Sequence, residues 1–148
     1  MRFQPSDPGE AERRSVDQWV ASLGLQNVCP AIAIDAGADV WPITAADVVF
    51  CINMIHISPW RASEGLFRGA ARLLPPSGVL FTYGPYKRDG AHTSEGNAAF
   101  DASLCERNPE WGIRDVADVT ALALEAGFEA PDVIQMPANN LSLVFRRT

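Results

Sequence analysis

Hydrophobic residues recur on one face of a helix near the start of the chain. Four of them stand at positions i, i+3, i+4 and i+7, namely Val16, Trp19, Val20 and Leu23. Asp7 suits the N-cap, Pro8 the first helical position and Glu10 the reciprocal bond of a capping box. Gly24 stands where helices commonly end. The pattern predicts a helix over residues 8–23.

Two apolar runs without helical spacing follow this helix. They cover residues 29–35 and 47–55, and both contain β-branched side chains. Runs of this kind are typical of parallel strands that are covered on both faces, whereas a half-exposed antiparallel strand alternates apolar and polar residues. We therefore expect an α/β fold with a mostly parallel sheet.

A second helical stripe lies between two predicted strands. It begins after Ser58-Pro59, ends before Pro75, and consists of Leu66, Phe67, Ala70, Leu73 and Leu74. A strand over residues 79–83 follows directly. This strand, helix and strand order predicts a right-handed crossover that places the two strands parallel.

The last third of the chain begins with a long irregular stretch. Residues 84–96 carry turn signals, and we expect a loop there that acts as a lid or substrate loop, followed by a short helix over 97–106. Asp115 and Asp118 suit the start of a further helix that runs to Ala126. Strands over 132–136 and 141–145 are then close enough in sequence to form an antiparallel hairpin at a sheet edge.

Composition narrows the class of protein. A chain of 148 residues with 47% hydrophobic and 20% charged residues suits a single domain with a real core. The net charge of −6 and the scattered basic residues disfavour nucleic-acid binding, and no stretch is long and apolar enough for a membrane span. No signal peptide is recognisable at Met1–Glu10, so we expect a cytoplasmic location.

Cysteine and histidine usage gives no sign of a metal site. Cys29, Cys51 and Cys105 are widely spaced among apolar neighbours and are expected to be buried, reduced thiols. The two histidines, His56 and His92, have no cysteine pair at ligand spacing near them. His92 lies in the predicted loop and is expected to be solvated.

Four segments resemble one small protein family. They are Cys51–Trp60, Tyr83–Tyr86, Asn97–Asp101 and Pro137–Phe145. The resemblance runs over nearly the whole chain and is to the methyltransferase-like family of unknown function, of the methyltransferase-like protein twenty-six type. It implies the Rossmann-like class I methyltransferase fold, with S-adenosylmethionine as cofactor and an acceptor that the family does not disclose.

The resemblance also implies roles for particular residues. Asp7, at the end of a strand, would face the ribose hydroxyls of the cofactor, and Asp35 would accept its adenine amino group. Asn53, Met54 and His56 would face the methyl donor or its acceptor, since ligands of open α/β sheets bind at the carboxyl ends of the strands. Asn53 and Met54 are therefore candidate cofactor-binding residues beside Asp7 and Asp35. Asn53 and His56 are candidate catalytic residues.

Structural explanations compete with each of these roles. Asp7 fits a helix N-cap and Asp35 a turn. His56 is either a general base or a histidine that serves only packing. Tyr86, the third candidate catalytic residue, and Tyr83 would either wall an acceptor pocket or pack the turn between them.

The sequence departs from the resembled fold at its beginning. No Gly-x-Gly occurs in it, and only six residues precede Asp7. In dinucleotide-type folds the glycine turn lies roughly 20 residues before the ribose acid. We therefore expect one incomplete domain over 1–148 that starts late and lacks the first strand, its glycine turn and the first helix. Cofactor binding should then be weak or absent, because that turn and helix end normally receive the cofactor.

Loss of a central strand would leave residues 47–55 with one unpaired side, which is a pairing hazard. Either residues 2–4 or 31–34 close onto this edge, or the chain forms a homodimer through it. The main functional expectation is a methyltransferase-like protein, and the alternative is a non-catalytic dimerisation or protein-binding module. A hydrolase that uses Cys105 or Ser58 is disfavoured, because no Gly-x-Ser-x-Gly occurs.

Overall fold

Four strands form one mixed sheet in the computed structural model, which describes residues 1–148. Two further short strands form a separate ribbon. The strands are β1 (Val48–Ile52), β2 (Val79–Pro85), β3 (Lys87–Arg88), β4 (Ala91–His92), β5 (Asp132–Gln135) and β6 (Asn140–Arg146). Their order in the main sheet is β1, β2, β6, β5, and β3 pairs with β4.

The main sheet combines the predicted crossover with the predicted hairpin. β1 and β2 are parallel, with Val48 opposite Val79 and Ile52 opposite Tyr83. β6 runs antiparallel to β2 and to β5. The α/β class, the parallel crossover and the antiparallel C-terminal pair are therefore confirmed, and the four-stranded sheet as a whole is mixed.

Four α-helices accompany these strands, and none is long and apolar enough to cross a membrane. They are α1 (Glu10–Leu23), α2 (Trp60–Leu73), α3 (Glu95–Arg107) and α4 (Val116–Glu125). Side chains cap two of them, because Ser94 accepts the backbone N–H of Asn97 and Asp115 accepts that of Ala117. α2 is the crossover helix between β1 and β2.

The start of α1 differs from the prediction. The helix begins at Glu10 with Gly9 at the N-cap, and no side chain caps it. Asp7 instead accepts the N–H of Gly9 at 2.7 Å, which makes a local turn before the helix. The predicted end is confirmed, because Gly24 has a φ of 63° and lies in the left-handed region.

The core lies between the main sheet and helices α2 and α4. Phe67 of α2 is fully buried, and its ring meets those of Phe128 and Phe145 edge to face. Leu80, Leu141 and Leu143 line the same cluster from β2 and β6. The helical stripe read from the sequence is therefore the face that α2 buries.

Residues 1–34 form a separate layer outside this core. Two isolated parallel bridges, Phe3 with Val28 and Ser6 with Ile32, join its extended segments. None of its residues is fully buried, and all its hydrogen bonds remain within the layer. Residues 35–46 connect it to the rest of the chain and pack on α2, where Trp41 lies against Gly69. Of the strand predicted over 29–35, only Ile32 makes a ladder contact.

The outer edge of β1 has no partner strand. β1 pairs with β2 alone, and Phe50 and Ile52 are 55% and 59% exposed. Residues 2–4 do not close onto this edge, because Phe3 pairs with the segment around Val28 instead. The unpaired edge expected from the sequence is therefore present.

Two expectations about single side chains are wrong. Cys105 is exposed, although Cys51 is buried as predicted and Cys29 is half-buried. His92 is not simply solvated, because its ring is partly buried and its Nε2 lies 2.8 Å from the Asp101 carboxylate. An apolar neighbourhood in sequence did not reveal that Cys105 lies on the outer side of α3.

Candidate functional site

The carboxyl ends of β1 and β2 lie side by side and present polar groups. Asn53 follows β1 and donates its backbone N–H to the Tyr83 carbonyl at 2.9 Å. Its φ of 56° turns the chain sharply, and asparagine tolerates this region better than most residues. The turn directs the chain into the short 3-10 helix Ile55–Ile57, which carries His56. This is the end of the sheet where the sequence predicted a site.

His56 is a buried histidine at these strand ends. Its ring packs on Gly84 of β2, where an added Cβ would lie 3.2 Å from Nδ1, and it meets the Phe100 ring edge to face at 5.6 Å. The chain offers no hydrogen bond to the ring. Burial lowers the pKa of His56 below its usual value, so the ring is neutral at physiological pH. A neutral imidazole is the form that accepts a proton.

Tyr83 contributes a hydroxyl at the same edge. Asn140 Nδ2 donates to Tyr83 Oη at 3.0 Å, which leaves the phenolic proton available to another acceptor. Asn140 belongs to the segment Pro137–Phe145 that carries the family resemblance. From the sequence, Tyr83 was expected either to line an acceptor pocket or to pack the turn after the strand.

Tyr86 requires a correction. It lies in the core and is 2% exposed, and its hydroxyl is 2.8 Å from Thr82 Oγ1. Burial raises its pKa above the usual value. Tyr86 is therefore packed in the core, and the hydroxyl of Tyr83 is the tyrosine hydroxyl that lies at the strand ends.

Met54 lies between the strand end and the core. Its sulfur is 3.1 Å from the Ser58 hydroxyl, which also donates to the Met54 carbonyl at 2.9 Å. The partly buried side chain packs against the core cluster. These contacts fix the turn after β1, and Ser58 is engaged in them.

Asp7 and Asp35 follow neighbouring extended segments of the N-terminal layer. The Asp7 N–H donates to the Ile32 carbonyl at 3.2 Å, which ties the two segments together. Each carboxylate makes a local turn, since Asp7 accepts from Gly9 and Asp35 accepts from Gly37 at 2.8 Å. Asp35 also lies 3.8 Å from the Arg61 guanidinium at an exposed position. At each aspartate, one carboxylate oxygen therefore stabilises a turn, and the other makes no hydrogen bond within the chain.

Helix α3 and the β3–β4 ribbon lie beside the strand ends, where the sequence predicted a lid or substrate loop. The Asp101 carboxylate joins them, because its Oδ2 is 2.8 Å from both Lys87 Nζ and His92 Nε2. Its Oδ1 accepts the Ile113 N–H at 2.6 Å. Burial raises the pKa of Asp101, but hydrogen bonds from Lys87, Ile113 and His92 bring it below the usual value. The carboxylate is therefore ionised.

A second polar contact joins α3 to the turn before β6. Asn97 Nδ2 donates to the Asn139 carbonyl at 3.2 Å and to Thr93 Oγ1 at 3.0 Å. Sequence reasoning assigned no functional role to Asn97, Phe100 or Asp101, although the segment Asn97–Asp101 contributed to the family resemblance. No group of three His, Cys, Asp or Glu side chains is arranged to hold a metal ion.

Solved structures share this architecture. An S-adenosylmethionine-dependent methyltransferase, SibL, is 22% identical and matches 99% of this chain with a TM-score of 0.81. An O-methyltransferase family protein from Burkholderia thailandensis is 18% identical and matches 100% with a TM-score of 0.85. A putative sarcosine dimethylglycine methyltransferase from Galdieria sulphuraria is 14% identical and matches 99% with a TM-score of 0.74.

These likenesses establish the fold as that of the Rossmann-like class I methyltransferases. This chain spans 43% of SibL, 44% of the Burkholderia protein and 70% of the Galdieria protein, so it covers less than half of the first two. A family model described as a protein of unknown function (DUF938) matches residues 1–147. The chain therefore belongs to that family.

Proposed function

We propose that this chain is a domain of a methyltransferase that binds S-adenosylmethionine and methylates a small acceptor. The observation that carries the proposal is the approach of the Asn53 and His56 side chains at the carboxyl ends of parallel β1 and β2, where both lie beside Gly84. Polar groups at that place define the ligand crevice of open α/β sheets. The likeness to methyltransferases in fold is consistent with this use but shows the fold alone.

In the proposed reaction the side chains position the acceptor and manage its proton. Neutral His56 accepts the acceptor's proton, and the neighbouring Asn53 side-chain amide forms a hydrogen bond that orients the acceptor. Methyl transfer from a sulfonium depends mainly on the alignment of donor and acceptor, so positioning supplies much of the rate. Bound S-adenosylmethionine would supply the electrophilic methyl group.

The proposed cofactor residues are Asp7 and Asp35 for the nucleoside, with Asn53 and Met54 near its methionine end. Asp7 and Asp35 each retain a carboxylate oxygen that makes no hydrogen bond within the chain. The sequence has no glycine-rich turn to receive the rest of the molecule. Residues 1–148 should therefore bind S-adenosylmethionine only weakly.

Titration with S-adenosylhomocysteine, followed by two-dimensional NMR, tests this proposal. We expect amide shifts at Asp35 and Asn53 with a dissociation constant of about 1 mM or weaker, and no such shifts in Asp35→Asn. Asp118→Asn, on α4, is the matched control and should bind as the parent chain does. Absence of any shift at the strand ends would contradict the methyltransferase proposal. Micromolar calorimetric binding would overturn only the part that concerns impaired affinity.

A second candidate function is dimerisation through the open edge of β1. The strand Val48–Ile52 has no charge and no proline, and its outer backbone groups have no partner strand. Antiparallel pairing of two copies around Phe50 would set Asp47 opposite Asn53 of the other copy, so no like charges meet. Self-complementary pairing of this kind gives a twofold dimer. Sedimentation at micromolar concentration should then show a dimer, and a monomer would count against this function.

A further inference from the structure

Helix α3 is held beside the strand ends mainly by polar contacts. Its buried residues are Asn97, Asp101 and Leu104, so two of the three are polar. Charged and amide side chains are rarely buried without a specific partner, and here each has several. Asp101 is the more connected of the two, and it is 8% exposed.

The carboxylate of Asp101 contacts three separate pieces of the chain. Lys87 of β3 and His92 of β4 both meet its Oδ2, and the backbone of Ile113 donates to its Oδ1. An ionised carboxylate that accepts several hydrogen bonds gives stronger and better-directed contacts than a neutral amide would. The helix, the ribbon and the loop after α3 are therefore fixed to one another at this residue.

Two sets of contacts connect Asp101 with His56. Along α3, the adjacent Phe100 presents its ring to the His56 imidazole at 5.6 Å. Along the loop, Gly112 precedes Ile113 and donates its N–H to the His56 carbonyl at 3.0 Å. Gly112 has a φ of 151°, and a Cβ there would lie 3.0 Å from Asp101 Oδ1, so the close approach of loop and carboxylate favours glycine.

We propose that Asp101 is a positioning residue for His56, which it holds against Gly84 through the Ile113 backbone and through Phe100. The catalytic meaning of this role rests on the proposed methyltransferase function. Asp101 does not touch the crevice groups itself. It fixes the elements that enclose the candidate base, as the supporting contacts of a preorganised site do.

The His56 ring resonances in NMR report this role directly. The chain has two histidines, so the two sets of ring signals are readily assigned with a His92→Gln variant. In Asp101→Leu, which keeps the shape but accepts no hydrogen bond, we expect the His56 ring signals to move away from their parent positions. The cause is loss of the fixed Phe100 ring beside the imidazole. Asp101→Asn keeps an oxygen for Ile113 and should restore most of the parent signal.

Glu106→Gln is the matched control, because it removes an exposed carboxylate from the same helix. Its His56 signals should stay at the parent positions. A folded Asp101→Leu protein whose His56 signals do not move would overturn the proposal. If Asp101→Leu does not fold, Asp101→Asn decides: reduced protection of the Ile113 amide together with a partial displacement of the His56 signals supports the role, and His56 signals identical to those of the parent overturn it.

This experiment needs no methyl transfer, so its failure is separate from failure of the proposed function. Once an acceptor is identified, Asp101→Leu should lower kcat much more than it changes KM, because the base is misplaced while acceptor contacts remain. Equal loss in Glu106→Gln would contradict that expectation.

Discussion

At the scale of single residues, His56 combines burial with a place at the strand ends. Its imidazole packs between Gly84 and Phe100 and makes no hydrogen bond within the chain. Neither ring nitrogen is sealed from solvent, so a bound acceptor can approach the imidazole. The free nitrogens and the neutral state both suit a proton acceptor, which is why His56 carries the proposed chemistry.

The lowered pKa of His56 predicts a pH dependence of stability. Protonation is harder in the folded state than in the unfolded state, so the unfolded chain binds more protons below its own histidine pKa of about 6.5. The contribution of His56 to the free energy of unfolding is therefore complete above that pH and falls as the pH drops towards the folded pKa.

Urea unfolding at several pH values measures this effect, and the difference between parent and His56→Gln isolates it. We expect His56→Gln to lose the part of the decline that begins near pH 6.5. An identical slope in both proteins would show that His56 does not titrate as described.

The tyrosines show why part of the site was not predictable from sequence. The predicted strand ended at Tyr83, but β2 continues to Pro85. Side chains of a strand alternate between faces, and Tyr86 meets Thr82 and the core cluster. The Tyr83 side chain lies on the opposite face of β2, and its hydroxyl accepts a hydrogen bond from Asn140. The strand-end rule located Asn53 and His56 correctly, whereas the choice between tyrosines depended on where the strand stops.

At the scale of elements, Asp115 performs two tasks at the start of α4. Its Oδ1 accepts the Ala117 N–H at 2.8 Å as an N-cap, and its Oδ2 accepts the Gly90 N–H of the ribbon turn at 2.7 Å. One side chain thus stabilises the helix and fixes the turn between β3 and β4.

We expect Asp115→Ala to lower the free energy of unfolding by at least about 1 kcal/mol, the usual cost of losing an N-cap. Urea unfolding followed by circular dichroism measures the change. Asp118→Ala is the control, since this first-turn acid makes no capping bond and should cost less. Equal costs for the two variants would refute the capping role.

Helices α1 and α2 were predictable because each carries an apolar stripe at helical spacing, and α4 was predictable from the acid that caps its start. The β3–β4 ribbon was not, since strands of two residues carry no measurable period. The Asp101 contacts join residues that are 9 to 14 positions apart in the sequence, and no sequence pattern predicts them. The prediction that Asp7 is the N-cap of α1 was wrong for a local reason. Its carboxylate accepts the N–H of Gly9, two residues later, and Gly9 itself is the N-cap.

At the scale of the whole molecule, the two edges of the main sheet differ in character. β1 is uncharged and exposes Phe50 and Ile52, whereas β5 carries Asp132 in an ion pair with Arg146 at 2.7 Å. Charged residues discourage edge pairing, so β1 is the edge at which association is expected.

Phe50→Lys should therefore convert the proposed dimer to a monomer, because two ammonium groups would meet at the twofold axis. Ile134→Lys places the same charge on the exposed β5 edge and should leave the dimer intact. Sedimentation of the three proteins at equal concentration makes the comparison. A dimer that survives Phe50→Lys but not Ile134→Lys would assign the interface to the other edge.

The N-terminal layer of residues 1–34, with its self-contained hydrogen bonds and no fully buried residue, has a thermodynamic consequence. Opening of α1 exposes little of the apolar cluster around Phe67, so it is largely uncoupled from melting of that cluster. The chain should therefore behave as two cooperative units, with amides of α1 exchanging at a lower free energy than those of β2 and β6. Unfolding followed by the resolved indole NMR signal of Trp19 and by a probe in the central cluster should therefore give two different midpoints.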